Sequence, residues 1–402
     1  MIRRFWFSDG QVPADECGEV WSGSLWKAPL PSSSGFRALA SIGGGAKLGP
    51  LRAGISILLA MIVVCGCHRG SSSTSSSSTG ADGQAAGQAR GVDSDETKEG
   101  NGIRKQAAAL LQARDYDELE ALAQDYRTNR EMFSDGRVKL GCVYDGVVDM
   151  NESASEGSWK ARIQELDLWL KAKPESPTAP VALAKEWIDF AWKARGHGYA
   201  GTVKDRAWKL FGERTDQAHA ILAEAAKLPV KCPVYWSAMQ SLAVNEGWAK
   251  EEYERLFQEA VRENPGYWPY YYSKAIYLMQ RWYGEPGEWE KFAESAGNKL
   301  GGDDGDMLYT RIVCSQRDLN VYTNIYTETQ ISWDRTKHGF ELLHEQYPDS
   351  LWITSEYCLA LGMNAEKEPA KKLFPEMKGQ VDLTVWITDE FYQHFREWLD
   401  SP

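Results

Sequence analysis

The stretch GWAKEEYERLFQEAVRENPGYW, residues 247–268, decides the fold class, because its apolar side chains recur every three or four positions. That period places them on one face of an α-helix. Phe257 and Ala260 lie in this stretch, and Pro265 follows them. Proline stops a helix because it has no N–H group to donate. The stretch therefore predicts an amphipathic helix that ends just before Pro265.

The same stretch resembles the second helix of a tetratricopeptide repeat, with its aromatic, small and terminal proline positions all filled. In LLQARDYDELEALAQDY, residues 110–126, the short Ala-Arg-Asp-Tyr link resembles the internal turn of such a repeat. Pro174, Pro265 and Pro348 end similar segments, but their spacings are not multiples of the repeat period of about 34 residues. The resemblance therefore implies degenerate repeats with extra helices.

Helical periodicity continues through most of residues 102–402, where Gly, Pro and Asn separate the apolar segments. We predict helices throughout this region, among them 202–228, 268–283 and 287–298. No alternating strand pattern persists. The prediction is an all-α domain, residues 102–402, built as a degenerate tetratricopeptide-like array of helix pairs, an α-solenoid.

Four segments in the predicted domain are similar to an uncharacterised bacterial family that is known only as a domain of unknown function. They are WKARGHGYA at 192–200, GWAKEEYERLFQEAV at 247–261, YYYSKAIYLMQRWYGEPGEW at 270–289 and WDRTKHGFELLHEQYPDS at 333–350. The resemblance covers most of residues 102–375. It implies a helical-repeat fold and brings no activity with it.

A targeting signal precedes the domain. Residues 53–66, AGISILLAMIVVCG, form an uncharged apolar run with Lys47 and Arg52 before it and Cys67 directly after it. A run of this length is typical of a signal peptide and is too short for a comfortable membrane span. Its last residues resemble the lipobox of bacterial lipoproteins, which implies that Cys67 is diacylated and becomes the new N-terminus.

The part of the chain before the predicted domain divides into three segments, one of which is this signal. Residues 68–101 are rich in Ser and Gly and predict a flexible linker. A lipoprotein signal begins within a few residues of its basic region, so we interpret residues 48–67 as the signal or anchor. Residues 1–47 are then a non-native or disordered extension. A buried apolar helix of a soluble protein is the alternative for the apolar run.

The negative charge of the chain lies in the predicted domain. Residues 1–100 carry nine basic and nine acidic groups, so the rest holds 36 basic and 48 acidic groups and the whole net charge of −12. Such a domain repels phosphate backbones. We therefore expect no nucleic acid as its main ligand.

Tryptophan and cysteine bear on the core. Fourteen of the 17 tryptophans lie after residue 158, spread over several predicted helices, so we expect most of them to pack inside. Cys142, Cys232, Cys314 and Cys358 show no CxxC pair. We expect small buried hydrophobic residues there, while sequence alone leaves three disulfide pairings open.

No motif predicts a cofactor, a metal site or a catalytic centre. Gly196, Gly198 and Gly201 match the dinucleotide pattern GxGxxG, but a predicted helix precedes them where that site needs a strand. The acidic run at 301–306 lacks the order of an EF-hand loop, and we expect Asp306 to cap a helix instead. We expect no cofactor, no metal and no enzymatic activity.

The stretch RWYGEPGEWEKF, residues 281–292, predicts a corner between two helices. Gly284 follows the predicted helix 268–283, where a left-handed residue is favoured. Pro286 lies near the start of the next helix, and Glu288 falls in its first turn, where a negative charge suits the helix dipole. Trp282, Tyr283 and Trp289 flank the corner.

A candidate groove lies beside this corner. One stripe of the predicted helix contains Trp268, Tyr272 and Ile276, and a second stripe mixes aromatic and basic residues. Peptide strands or sugars would stack on such a second stripe if it lines the concave side of the array. The candidate groove residues are Tyr271, Lys274, Tyr277, Arg281 and Glu285.

The sequence predicts a binding or scaffold module for a protein or peptide, held in the bacterial cell envelope by a lipid on Cys67, with the domain outside the cytoplasmic membrane. Two alternatives stay open. One is a glycan-binding or glycan-processing lipoprotein, which requires a deep pocket with paired carboxylates. The other is a cytoplasmic helical-repeat protein, if the apolar run is never used for export.

Overall fold

The structure is a computed structural model that describes residues 90–92, 94–148, 153–196, 198, 200–319 and 321–401. This part of the chain contains seventeen α-helices and one short sheet. The prediction of an all-α helical array is confirmed. The signal-like run, Cys67 and the segment 1–47 lie outside the described residues.

The first six helices run from the predicted linker to the middle of the chain. Their bounds are α1 Asp95–Ala113, α2 Tyr116–Asn129, α3 Leu140–Val148, α4 Glu156–Ala172, α5 Ala179–Arg195 and α6 Asp205–Ala225. Helices α5 and α6 make the most extensive contact of the array. A short 3-10 turn at Ala200–Thr202 connects them.

The next five helices carry the corner stretch. Their bounds are α7 Pro233–Glu246, α8 Lys250–Glu263, α9 Pro269–Tyr277, α10 Glu288–Leu300 and α11 Gly302–Arg317. In α8 Phe257 is 4% exposed and Ala260 is fully buried, and Asn264 caps the helix just before Pro265. The predicted end of this helix is confirmed.

The last helices surround the second strand of the sheet. Their bounds are α12 Ile325–Glu328, α13 Trp333–Gln346, α14 Leu351–Met363, α15 Lys367–Leu373, α16 Leu383–Trp386 and α17 Asp389–Asp400. The strands are β1 Arg90–Val92 and β2 Gln380–Asp382. A 3-10 turn at Phe374–Met377 follows α15.

The first helix begins earlier than the pattern predicts. We predict a linker up to residue 101, but α1 starts at Asp95 because the Ser94 side chain caps it, accepting from the Thr97 N–H at 3.2 Å. At the other end of α1, Arg114 has a φ of 58°, and the Asp115 side chain caps α2. The predicted turn between these two helices is confirmed.

The two ends of the array are joined. Strand β1 pairs in parallel with β2, with Arg90 opposite Gln380. A second link connects the loop after α2 to α11, where Arg311 Nη2 donates to the Asp135 carbonyl at 2.5 Å. Three-residue strands are too short to show an alternating pattern, so the sequence does not predict this closure.

Two hydrophobic cores fill the array. The larger core extends from α1 to the loop after α12, and the smaller core lies between α11 and α17. Of the fourteen tryptophans after residue 158, six are buried and eight are half-buried, so fewer than the expected majority lie fully inside. The four domain cysteines are buried and carry no disulfide, which agrees with their expected role as small hydrophobic residues.

Within the described ranges, no helix is long and apolar enough to cross a membrane.

Candidate functional site

The stretch RWYGEPGEWEKF forms a corner between α9 and α10. Helix α9 ends at Tyr277, and the chain folds back so that the Tyr283 N–H donates to the Tyr277 carbonyl at 3.1 Å. The predicted helix 268–283 is therefore too long at its end. Glu288 begins α10 and accepts from the Glu285 N–H at 2.7 Å and from Lys250 Nζ at 2.5 Å. The placement of Glu288 in the first turn is confirmed.

Two glycines make the corner possible for different reasons. Gly287 has a φ of 77° and caps α10, a conformation that glycine adopts without strain. Gly284 is needed for space, because a Cβ there would lie 1.7 Å from the Leu278 carbonyl oxygen. The prediction of a left-handed Gly284 is therefore wrong, and Gly287 takes that conformation instead.

Three residues of the predicted groove lie in the interior instead of along an open surface. Tyr277 is 1% exposed, its ring stacks on Tyr253 at 3.9 Å, and its hydroxyl donates to the Trp248 carbonyl at 2.7 Å. Tyr271 is half-buried, with its ring 5.2 Å from that of Phe257. Burial raises the pKa of both groove tyrosines.

Lys274 is the third of these residues; it is 7% exposed and forms a cluster with Glu254, Phe257 and Phe292, here called the Lys274 cluster. Its ammonium lies 4.1 Å from the ring centroid of Phe257 and 4.5 Å from that of Phe292. Glu254 forms an ion pair with it. Burial lowers the pKa of Lys274, while the hydrogen bond to Glu254 opposes that shift.

Arg281 and Glu285, the other two predicted groove residues, are exposed. They lie beyond the end of α9, so they do not continue the stripe of Lys274. The predicted groove of five residues is therefore wrong as a single surface. Its buried members belong to the core, and its exposed members belong to the corner.

A second group of aromatic and basic side chains reaches the surface around Arg281. Arg281 is exposed, and the other members are half-buried. We call this group the tryptophan-arginine face. Its members are Trp192, Arg195, Trp208, Arg281, Trp282 and Tyr283.

Guanidinium groups and indole rings contact one another across this face. The Cζ atom of Arg195 lies 5.0 Å from the ring centroid of Trp192 and 5.1 Å from that of Trp208. Trp192 meets Trp282 edge to face at 5.8 Å, and Arg281 Cζ lies 5.7 Å from the Trp282 ring. These distances are within the range of cation–π and aromatic pairs.

The end of α5 positions the centre of the face. Trp192 and Arg195 are three residues apart in its last turn, so their side chains lie on the same side. Trp192 Nε1 donates to Asn245 Oδ1 at 3.0 Å, which fixes the indole. Arg195 Nη1 donates to the carbonyls of Gly196 at 2.9 Å and Gly198 at 3.2 Å. The guanidinium is thus held over the two indoles.

The two arginines place positive charge on this face, and among the described residues no carboxylate pairs with either of them. Burial lowers the pKa of Arg195, and the nearby positive charge of Arg281 lowers it further. Burial also raises the pKa of Tyr283 to about 12, and its hydroxyl donates to the Val244 carbonyl at 2.6 Å. Over the described part of the chain, neither arginine forms an ion pair with a carboxylate. Two cations therefore share one surface of an acidic protein.

The sequence shows the short residue pairs of this face but not that they contact one another. Two such pairs stand close together in the sequence, Trp192 with Arg195 and Arg281 with Trp282. Their contact depends on how α5, α6 and the corner pack, and Trp208 comes from α6. Tertiary packing brings these residues together, and local spacing in the sequence does not predict it.

The other stripe of α9 borders a small cleft. Trp268 and Tyr272 line it together with Arg137, whose guanidinium also lies 5.0 Å from the ring of Trp352. The cleft has room for about one water molecule. It is too small to hold a sugar ring or a peptide side chain as it stands.

The motifs set aside on sequence grounds have structural explanations. The GxGxxG match follows the end of α5 and so lacks the preceding strand of a nucleotide site. Asp306 lies inside α11 and pairs with Arg335 at 2.7 Å, so the expectation that it caps a helix is wrong. Among the described residues, no group of three or more His, Cys, Asp or Glu side chains is arranged to hold a metal ion.

No protein-family model matches the sequence, and no curated protein matches it either. The resemblances to tetratricopeptide repeats, to bacterial lipoproteins and to the domain of unknown function stay predictions. The site is therefore interpreted from the residues of this chain alone.

Proposed function

We propose that this chain is an envelope-anchored binding module that holds an acidic peptide segment on its tryptophan-arginine face. The observation that carries the proposal is the pair Arg195 and Arg281. They repel each other on a half-exposed aromatic surface and have no carboxylate partner in the part of the chain described.

Arginine and tryptophan together suit an acidic peptide. A guanidinium presents a planar fork of N–H donors that matches the two oxygens of a carboxylate. The indoles of Trp192, Trp208 and Trp282 add flat, rigid contact area, which is typical of residues that dominate binding energy. Partial burial strengthens the ion pair, because the local dielectric is lower than in bulk water.

A peptide fits better than a glycan substrate. Hydrolysis of a glycosidic bond needs two carboxyl groups facing the sugar. The tryptophan-arginine face is built from three indoles, a phenol and two guanidinium groups, and the cleft beside Trp268 is too small for a sugar ring. These features support binding of a carboxylate-bearing ligand over glycan processing.

Calorimetric titration with hexaglutamate at low salt tests this proposal, with hexaglutamine as the uncharged control. We expect hexaglutamate alone to bind, and Arg281→Ala to weaken it about tenfold, since a charge-assisted hydrogen bond contributes about 1.5 kcal/mol. Arg255→Ala is the matched control, because Arg255 is 72% exposed and lies 3.9 Å from Glu252.

Two results would contradict the peptide site. Equal weakening by Arg281→Ala and Arg255→Ala would mean that only the overall charge matters. Binding of oligogalacturonate without binding of hexaglutamate would favour the glycan alternative.

The proposal includes the location of the protein in the cell. The apolar run 53–66 followed by Cys67 supports a lipid anchor in the bacterial envelope, with the domain outside the cytoplasmic membrane. Intact mass of the protein from its own host tests this, with Cys67→Ala as the comparison. We expect a diacylated species that begins at Cys67 and disappears in the variant. A full-length, unmodified chain would favour the cytoplasmic alternative.

A further inference from the structure

An exposed hydrophobic tip lies between strand β2 and helix α17. Leu383 is 43% exposed and Ile387 is 65% exposed. The Ile387 N–H donates to the Leu383 carbonyl at 3.1 Å, so the two residues lie one turn of chain apart. We call these two residues the apolar tip.

The backbone at the tip is strained. Ile387 has φ 65° and ψ −54°, and the Thr388 N–H donates to the Trp386 carbonyl at 2.7 Å across it. This is the strained form of the γ-turn. Positive φ is unusual for a β-branched side chain, and such strain often marks a functional position.

Both sides of the turn are fixed in place. Trp386 is fully buried, and the Thr388 side chain caps α17 by accepting from the Phe391 N–H at 3.1 Å. The residue between them therefore points outward on a rigid base. An exposed isoleucine at such a position is poorly explained by packing, because it makes little contact with the core.

The tip also lies at the end of the molecule where the described chain begins. Arg90 is paired with Gln380, and Leu383 follows Gln380 by three residues, a distance of about 10 Å along a strand. The sequence between Cys67 and Arg90 contains 22 residues and spans at most about 80 Å. A lipid on Cys67 would therefore tether the protein from a point in the fold close to the apolar tip.

We propose that the apolar tip, Leu383 and Ile387, inserts into the surface of the bilayer to which the chain is anchored. This inference rests on the proposed lipid anchor at Cys67. Tethering raises the effective concentration of the tip at the membrane to the millimolar range, so two apolar side chains suffice for contact. Asp389 and Glu390 follow directly and are exposed, which limits insertion to the interfacial layer.

Contact with lipid can be measured on the anchored protein in vesicles that contain brominated phosphatidylcholine. A Leu383→Cys variant carries an environment-sensitive nitrobenzoxadiazole label, and Val230→Cys, at a side chain 55% exposed, carries the same label as control. The four native cysteines of the domain are buried and are not expected to react. We expect several-fold stronger quenching at position 383 than at position 230.

Ile387→Gly separates membrane contact from folding. Glycine adopts positive φ without strain, so this substitution should raise Tm. We expect it to reduce quenching of the label at position 383 all the same, because the second apolar side chain is gone. A defect in folding would lower both quantities together and would contradict the inference.

The mass of the same sample distinguishes the two proposals. Diacylated Cys67 with equal quenching at positions 383 and 230 would overturn the apolar tip and leave the anchor intact. A chain without lipid on Cys67 would overturn the anchor, and the apolar tip would lose its reason to face a bilayer.

Discussion

The Lys274 cluster and the tryptophan-arginine face use the same chemistry in two different settings. In the first, Lys274 lies between two phenylalanine rings and pairs with Glu254. In the second, the Arg195 guanidinium lies 5.0 and 5.1 Å from two indole rings, and the positive charge of Arg281 lowers the pKa of Arg195. Both are cations on aromatic rings, but among the described residues only Lys274 has a counterion.

The presence of the counterion separates structure from function. A buried cation needs a partner, and Lys274 has Glu254 from the neighbouring helix α8, so the cluster is complete without a ligand. The tryptophan-arginine face has no such partner in the part of the chain that the structure describes, and it is partly exposed to solvent. An acidic ligand would complete it in the way that Glu254 completes the Lys274 cluster.

The largest expected effect is on stability. Lys274→Ala removes a buried side chain and its ion pair, so we expect it to lower the free energy of unfolding by about 3 kcal/mol. Hexaglutamate affinity should not change. Urea unfolding and calorimetry measure the two quantities. A stability loss below about 1 kcal/mol would mean that the Lys274 cluster is not structural.

Arg281→Ala should lower hexaglutamate affinity and leave stability almost unchanged, the opposite of Lys274→Ala. Arg281 is exposed, and its guanidinium lies 5.7 Å from the ring centroid of Trp282, so the free energy of unfolding should change by less than about 0.5 kcal/mol. The tenfold loss of hexaglutamate affinity should remain. If Arg281→Ala lowers the free energy of unfolding but leaves hexaglutamate affinity unchanged, Arg281 stabilises the fold and does not bind the ligand.

The pH dependence of stability reports on the ion pair of the Lys274 cluster. Burial alone would raise the pKa of Glu254, but hydrogen bonds from Lys274 and Gln258 outweigh it and lower that pKa. A lowered folded-state pKa gives stability that is present above the unfolded value and is lost as pH falls through the folded value.

Glu254→Gln tests this dependence. Because Glu254 is 46% exposed, we expect the wild type to be more stable by only about 0.5–1 kcal/mol at neutral pH. The difference should vanish in acid, once Glu254 is protonated. Urea unfolding of both proteins over a range of pH measures it. A difference that grows as pH falls would have the wrong sign.

The smallest expected effect comes from Arg281→Lys. Lysine keeps the charge but loses the planar fork, so affinity for hexaglutamate should fall about threefold, or by about 0.6 kcal/mol. Titration calorimetry at one fixed salt concentration measures it. A loss as large as that of Arg281→Ala would mean that fork geometry matters more than charge, and no loss would mean that charge alone is recognised.

The fold could be predicted where local pattern decides it. The turn at Arg114 and the end of α8 before Pro265 follow from periodicity and helix-stop residues. Helix α9 was harder, because both of its stripes are aromatic and both are covered, so periodicity shows neither an open side nor the end at Tyr277. The three-residue strands of the closure have no pattern to detect.

The candidate site was predictable only in part. The unusual stretch at 281–292 points to Arg281, but the helical period predicts neighbours for it from the same helix only. In the structure they come from α5 and α6, far away in sequence. Likewise, nothing near Lys274 in sequence reveals that Glu254 covers it. Contacts between distant segments decided which cation is buried and which is free to bind.

Indole nitrogen NMR reports directly on whether a ligand binds at the tryptophan-arginine face. Each tryptophan gives one Nε1–H signal, and Trp→Phe variants assign them. On addition of hexaglutamate, we predict that the signals of Trp192, Trp208 and Trp282 shift, while those of the fully buried Trp169 and Trp386 stay in place. If the three face signals do not move, or if other indoles move instead, the acidic peptide does not bind at the tryptophan-arginine face.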